Sequence, residues 1–318
     1  VHAEQVGKDR VRVTGASGQP PTPSYKVSAT YPDGYKVSAG IFLAGEDAAR
    51  KGERVARALV DKTERLLVAR GLGPLRATQI DVLGAESTYG PHARARATRE
   101  VVVRIAASHE NRDALKLFVR ELPQAGTGMA PGFATLVGGM GQPATVVRLF
   151  SFLIDRARVQ AEIDLDGTRQ PVAMPAPAAA PPQSRATAEP GFPAIRSEHC
   201  LPLIALAHGR SGDKGNHSNI GILAREPRFV PFIAAALTAE AVASHLAHLL
   251  DPSTGRVTRY ALPGCHGWNF LLENSLGGGG VASLRADPQG KAHAQQLLAF
   301  EIPVPKVIFD ELSRRGAS

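Results

Sequence analysis

The densest run of side chains able to do chemistry is His208-Gly-Arg-Ser-Gly-Asp-Lys-Gly-Asn-His-Ser-Asn219. Its three glycines let backbone amides approach a ligand without Cβ obstruction. Free N–H groups beside cations form an anion cradle. Arg210, Ser211, Lys214, Asn216 and Asn219 are therefore the expected holders of a phosphate or carboxylate. Asp213, His217 and His208 are the acid–base candidates, because histidine titrates near neutral pH and a carboxylate can orient it. The run is no nucleotide-binding P-loop: Gly-Lys-Ser/Thr and an ensuing helix are both missing. A polar turn would use Gly, Asp and Asn for backbone geometry alone. It would not need two cations and two histidines besides. His208, Asp213 and His217 could be read as metal ligands, but their spacing fits no standard pattern and interleaved cations oppose a metal charge, so no metal is expected.

A second stretch, Gly277-Gly-Gly-Gly-Val-Ala-Ser-Leu-Arg-Ala-Asp-Pro-Gln-Gly-Lys291, opens with four glycines. Such a run costs backbone entropy and makes sense where the chain passes close to something. Read as a short strand over 281–286, it puts Ser283, Arg285 and Asp287 on one face. Lys291 then opens a helix whose N-terminal amides favour an anion. The alternative is a flexible loop before a charged edge strand. Glu86, Ser87 and His92, in a loop after a strand, are weaker candidates, since a plain turn accounts for them. The adjacent pair Cys265 and His266 would point to opposite faces of a strand, which argues against a nucleophile–base pair.

Stepping along the chain, Pro171–Arg196 carries seven prolines and many alanines and reads as a semi-extended linker between domains 1–170 and 197–318. Before it, alternation predicts strands at Arg10–Thr14, Tyr25–Tyr31, Tyr35–Ala44, Thr78–Gly84, Glu100–Ala107 and Thr145–Ile154, the last paired with Val159–Leu165. Helical spacing predicts Glu46–Arg70 and Asn111–Leu122. From Tyr35 onward the order is strand, helix, strand, strand, helix, strand, the split-βαβ or ferredoxin-like order. After the linker, strands are expected at Leu201–Ala207, Asn219–Ala224 and Val257–Leu262, and helices at Glu226–Ala236, Ala239–Leu250, Lys291–Phe300 and Pro305–Arg314. Asn269–Leu276 is ambiguous. The fold class is α+β, an α/β sandwich with helices packed on sheets.

With 318 residues the chain has room for two domains. The formal charge is +8, and six of those charges fall in 1–170, mostly as arginines interleaved with acids. Arg94, Arg96 and Arg99 form the densest cluster but lack an aromatic platform, so a solvated face is expected rather than a nucleic-acid site. No apolar run is long enough to span a bilayer and no charged-then-apolar leader opens the chain. Cys200 and Cys265 are expected as reduced thiols. The expectation is a cytoplasmic protein with no membrane or nucleic-acid partner.

The run RSGDKGNHSNIG at 210–221 and WNFLLENSLGGGGVASLRADPQGKAHAQQLL at 268–298 resemble the C-terminal ferredoxin-fold domain of the acyclic terpene utilisation (AtuA-type) family. AEQVGKDRVRVTGASG at 3–18, KVS and DGY within 26–35, and VLGAES at 82–87 resemble that family's large N-terminal domain. The resemblance covers the chain apart from the linker. Residues 1–170 would correspond to the C-terminal part of the large domain, with the part that precedes AEQVG absent, as in a fragment or split subunit. The resemblance implies breakdown of acyclic isoprenoids such as citronellol and geraniol through acyl-CoA esters. The resemblance gives a pathway and a fold, not a reaction; with the cations Arg210, Lys214, Arg285 and Lys291 and the acid–base candidates above, the expectation is an enzyme component acting on a branched acyl-CoA or carboxylate, adding or removing water beside a thioester. No cofactor is expected beyond CoA as part of the substrate. The partner would be that small molecule, with a homo-oligomer or a partner subunit alongside. The alternative is a non-catalytic binding or scaffold subunit for an enzyme of the same pathway.

Overall fold

The computed structural model describes residues 2–18, 20–176, 191–193, 197–262 and 264–315. Most of the predicted linker at 171–196 lies outside the described residues. The chain divides into two compact units, one formed by Val1–Ala29 with Leu149–Ala186, the other by Thr30–Arg148 with Thr187–Ser318.

In chain order the first strands are β1 (His2–Gly7), β2 (Arg10–Thr14) and β3 (Ser24–Ala44). The two strands expected between Tyr25 and Ala44 are one, which continues through Pro32 and a positive-φ Gly34. Helix α1 (Ala48–Ala69) follows, then β4 (Ala77–Leu83), a 3₁₀ turn at Ser87–His92, and β5 (Glu100–His109). Helix α2 (Arg112–Glu121) starts at Asn111, whose side chain accepts the Asp113 amide, and a short α3 (Ala125–Gly128) follows it. Strands β6 (Phe133–Val137) and β7 (Ala144–Asp155) complete this part. Strands β8 (Glu162–Leu165) and β9 (Thr168–Pro171) pair with each other. The expected pairing of 159–165 with the preceding strand is thus replaced by a local hairpin, turned at Asp166 and Gly167, both of positive φ.

The first unit holds the hairpins β1–β2 and β8–β9, every residue of which is exposed. In the second unit, the sheet order β4-β5-β3-β6 is antiparallel throughout, with β7 also pairing β3. Taken with α1 and α2 this is the split-βαβ arrangement expected from Tyr35 onward. One sheet face is apolar: Val37, Ala39, Ile41 and Leu43 face the same way as Val101, Val103 and Ile105, under Leu59, Leu67, Leu115 and Phe118 of the helices. The opposite face is polar, with Lys36, Ser38, Gln79, Asp81 and Arg104 in neighbouring register positions. The period of two divides the strands this way.

After the undescribed segment come β10 (Cys200–Pro202), a helical turn α4 (Leu203–Leu206), β11 (Ala207–Lys214) and β12 (His217–Ala224). Helices α5 (Val230–Ala236) and α6 (Ala239–His245), strands β13 (Arg256–Leu262) and β14 (Gly267–Glu273), α7 (His293–Leu297), β15 (Glu301–Pro303) and α8 (Lys306–Arg315) complete the chain. The sheet order β11-β12-β14-β13 again follows the split-βαβ pattern, here with β11 on the outer edge of β12. β15 pairs β10 instead of joining that sheet. The core gathers Ile220, Ile222, Trp268, Phe270 and Leu272 beneath Phe229, Ile233, Val242 and Leu297. Residues 281–286 form turns rather than the expected strand. Among the described residues no helix is long and apolar enough to cross a membrane. Both cysteines are free.

Candidate functional site

The expected loop 208–219 is a β-hairpin, closed by a turn at Gly215 with φ 71°. Strand alternation divides its side chains between two faces. Lys214 pairs His217 and Asp213 pairs Ser218, so the expected acid–base pair Asp213 and His217 is separated. His217 Nδ1 accepts the Asn274 amide at 2.9 Å, and Asp213 lies 3.6 Å from the Lys291 ammonium. His208, Arg210 and Lys214 are exposed on the outer face, where His208 meets Arg225 and Asn219 donates to Asn269. Among the described residues Lys214 donates only to the Asp213 carbonyl. Among the described residues no three His, Cys, Asp or Glu side chains are placed to hold a metal ion.

The inner face does meet the second stretch. Ser211 Oγ donates to the Lys291 carbonyl at 3.0 Å and accepts the Ala294 amide at 2.9 Å. Asn216 accepts the Gly278 amide at 2.7 Å, and a Cβ at Gly279 would sit 3.0 Å from the Gly215 carbonyl. The glycine run is thus explained by close passage of one backbone over another. The anion seat expected at the start of the helix is already filled. The Asp287 carboxylate accepts the amides of Lys291 at 3.0 Å and Ala292 at 2.8 Å. Because 281–286 is not a strand, Ser283, Arg285 and Asp287 do not share a face by alternation. Buried Ser283 accepts the Arg285 amide, and Arg285 Nη1 donates to the carbonyls of Leu249, at 2.8 Å, and Ser275.

The polar face of the β4-β5-β3-β6 sheet packs on this same stretch. Lys36 donates to the carbonyls of Val281 and Ser283, and Arg104 bridges Asp81, at 2.8 Å, to the Leu284 carbonyl, at 2.7 Å. Arg148 pairs with Asp33 nearby. Where the two sheets meet there are two neighbouring hollows, and Gln296 lines both. The larger, about 540 Å³, is walled by Glu86, Tyr89, His92, Arg94, His245, Ala299 and Phe300. The smaller, about 140 Å³, is polar: Gln79, Asp81, Ser87, Thr88, His248, Arg285, Asp287 and His293 converge on it.

The histidines are ordered by definite partners. His92 stacks on His245 with ring centroids 4.2 Å apart. His92 Nε2 donates to the His245 carbonyl at 2.8 Å, and His245 Nε2 donates to the Gln296 carbonyl at 3.3 Å. A carbonyl can only accept, so both rings carry hydrogen on Nε2. His248 Nε2 reaches Gln296 Oε1 at 2.9 Å. Burial pushes His245 and His248 below the usual imidazole range, and drives His293 down to about 4. These rings are neutral at pH 7. The loop that supplies His92 is held in unusual backbone: Glu86 has φ 54°, and its carboxylate accepts the Arg94 amide at 2.6 Å and the Ala95 amide at 3.3 Å. Gly90 has φ 55°, and a Cβ there would lie 2.7 Å from the His248 ring. Strain of this kind concentrates at functional sites.

Of the expected residues, then, only Arg285 and Asp287 line the hollows, and the weaker candidates Glu86, Ser87 and His92 line them as well. Sequence reading missed His245, His248, His293, Gln296, Asp81 and Arg104. One signal was available: His245 and His248 lie three apart in a helical stretch, a spacing that puts both on one face.

Fold and site together define an α+β protein of two split-βαβ sheets in one unit, with a histidine-lined cleft where they meet. The family model for the acyclic terpene utilisation family protein AtuA matches residues 1–165, and that for the AtuA ferredoxin-like domain matches residues 201–303. The chain belongs to the AtuA family. No curated protein matches it, and no solved structure does.

Proposed function

We propose that this protein is an enzyme component of acyclic terpene breakdown that binds a branched carboxylic acid or its CoA thioester in the histidine-lined cleft. The observation that carries this reading is the pairing of a roomy hollow bearing Tyr89, Ala299 and Phe300 with a small polar one. Ligand pockets typically occupy roughly 300–1,000 Å³ with a few convergent polar groups. The hydrocarbon branch belongs in the first and the acyl head in the second. His92 and His245, each donating from Nε2, are the general-base candidates, through Nδ1, for adding or removing water beside the acyl group. In this reading the hairpin residues Ser211 and Asp213 hold 287–294 in place, while Arg210 and Lys214, on the outer face, are free to meet a CoA phosphate.

The test is calorimetric titration of the full chain with citronellyl-CoA, geranyl-CoA and the corresponding acids, wild type against Ala299→Trp. Saturable binding lost on filling the larger hollow supports the reading, and absence of binding at millimolar ligand refutes it. A second reading, a scaffold or binding subunit in the cytoplasm, is favoured by one observation. Leu149, Phe150, Phe152 and Leu153 of β7 are all exposed, and Val6, Val11, Val13, Ile163 and Leu165 of the hairpins are too. Apolar surface of this extent marks interaction sites. Light scattering at micromolar chain separates a monomer from a homo-oligomer.

A further inference from the structure

We propose that the smaller, polar hollow seats a free carboxylate against Arg285, so that the ligand of this site is a branched-chain acid rather than its ester or alcohol. This rests on the reading that the cleft takes an isoprenoid chain. Arg285 is half-buried, and burial disfavours its charge. Its hydrogen bonds go to backbone carbonyls of Leu249 and Ser275, and no carboxylate pairs with it among the described residues. Each acid near it is committed elsewhere. Asp81 takes Arg104 and Gln79. Asp251 takes the Ser253 and Thr254 hydroxyls and amides. Asp287 takes the amides of Lys291 and Ala292. A desolvated guanidinium without a carboxylate partner is the complement of an incoming one, and charge-assisted bonds of this kind are roughly twice as strong as neutral ones. Ser87, whose buried Oγ has no hydrogen-bond partner among the described residues, lines the same hollow. A thioester or an alcohol would bring Arg285 no charge-assisted partner, leaving it the field of Asp81 and Asp251 alone. The hollow of about 140 Å³ has room for a head group, and Gln296 joins it to the larger one that takes the chain.

The experiment titrates the full chain with geranic acid, geraniol and geranyl-CoA, which share one hydrocarbon chain and differ in the head. The acid binds at least about tenfold more tightly than the other two, a margin expected of one charge-assisted contact. Arg285→Gln, with its fold checked by thermal melting, removes that margin and leaves geraniol unaffected, while Arg285→Lys keeps part of it. The comparison on the wild-type chain decides without any variant. Equal affinity for acid and alcohol, or tighter binding of the thioester, overturns the carboxylate assignment and leaves the cleft reading standing. Binding of none of the three overturns both.

Discussion

His293 shows how a single residue ties the site to the core. It is 1% exposed, and its Nδ1 lies 2.9 Å from Ser218 Oγ, which lies 2.8 Å from Ser275 Oγ. Ser275 donates to the Leu272 carbonyl at 3.0 Å, so Ser218 must donate to Ser275 and His293 must donate from Nδ1. The imidazole is neutral and its Nε2 keeps a lone pair. Its folded-state pKa, about 4, lies below the ordinary 6.5 because burial disfavours the charged ring. The unfolded chain then binds the proton first as pH falls. The stability from this residue is present in full above pH 6.5 and is lost between 6.5 and about 4. The loss is on the order of 3 kcal/mol, measurable as a falling urea midpoint across that window, and His293→Phe should flatten the profile. Ser218→Ala strips the acceptor from the ring and should cost about 1–3 kcal/mol in the same assay.

At the scale of elements, the sheets and helices followed from pattern because one face of each is apolar. The alternation of Val37, Ala39, Ile41 and Leu43 and the spacing of Leu59 and Leu67 dictate the first sheet and its covering helix. Within the hairpin at 207–224, the loop expected at 208–219 reflects its Gly, Ser, Asp and Asn content, residue types that favour turns in isolation. What extends it is tertiary: β11 pairs β12 over its whole length, and the inner-face hydroxyl of Ser211 is satisfied by α7. The same expectation joins Asp213 to His217, which alternation parts. His92, the pair His245 and His248, and His293 reach the cleft from three places far apart in sequence, and only the fold brings them together. Helix packing gives a sharp test. A Cβ at Gly52 of α1 would fall 2.4 Å from Val103 Cγ2 of β5. Gly52→Ala should therefore destabilise by about 1–3 kcal/mol, despite alanine's better helix propensity, read as a lowered melting temperature.

At the scale of the second unit, two sheets of like topology meet through the polar face of one and the turns at 277–287 of the other. Asp81, 4% exposed, is compensated by Arg104, which also holds the Leu284 carbonyl. Arg104→Met would leave that buried carboxylate without its ion-pair partner, at a cost of about 3–5 kcal/mol. Asp81→Asn in the same background should recover part of the loss, because the uncompensated charge is then gone. Urea denaturation of the single and double variants checks both.

In the proposed reading, ligand binds between His92, His245 and His293. The most direct measurement is the imidazole nitrogen spectrum of the nitrogen-15-labelled full chain, titrated with geranic acid at neutral pH. Saturable shifts are expected at His92, His245, His248 and His293, with His208, His217 and His266 unmoved. Shifts confined to His208 and His217, or no shift at saturating acid, would contradict that reading.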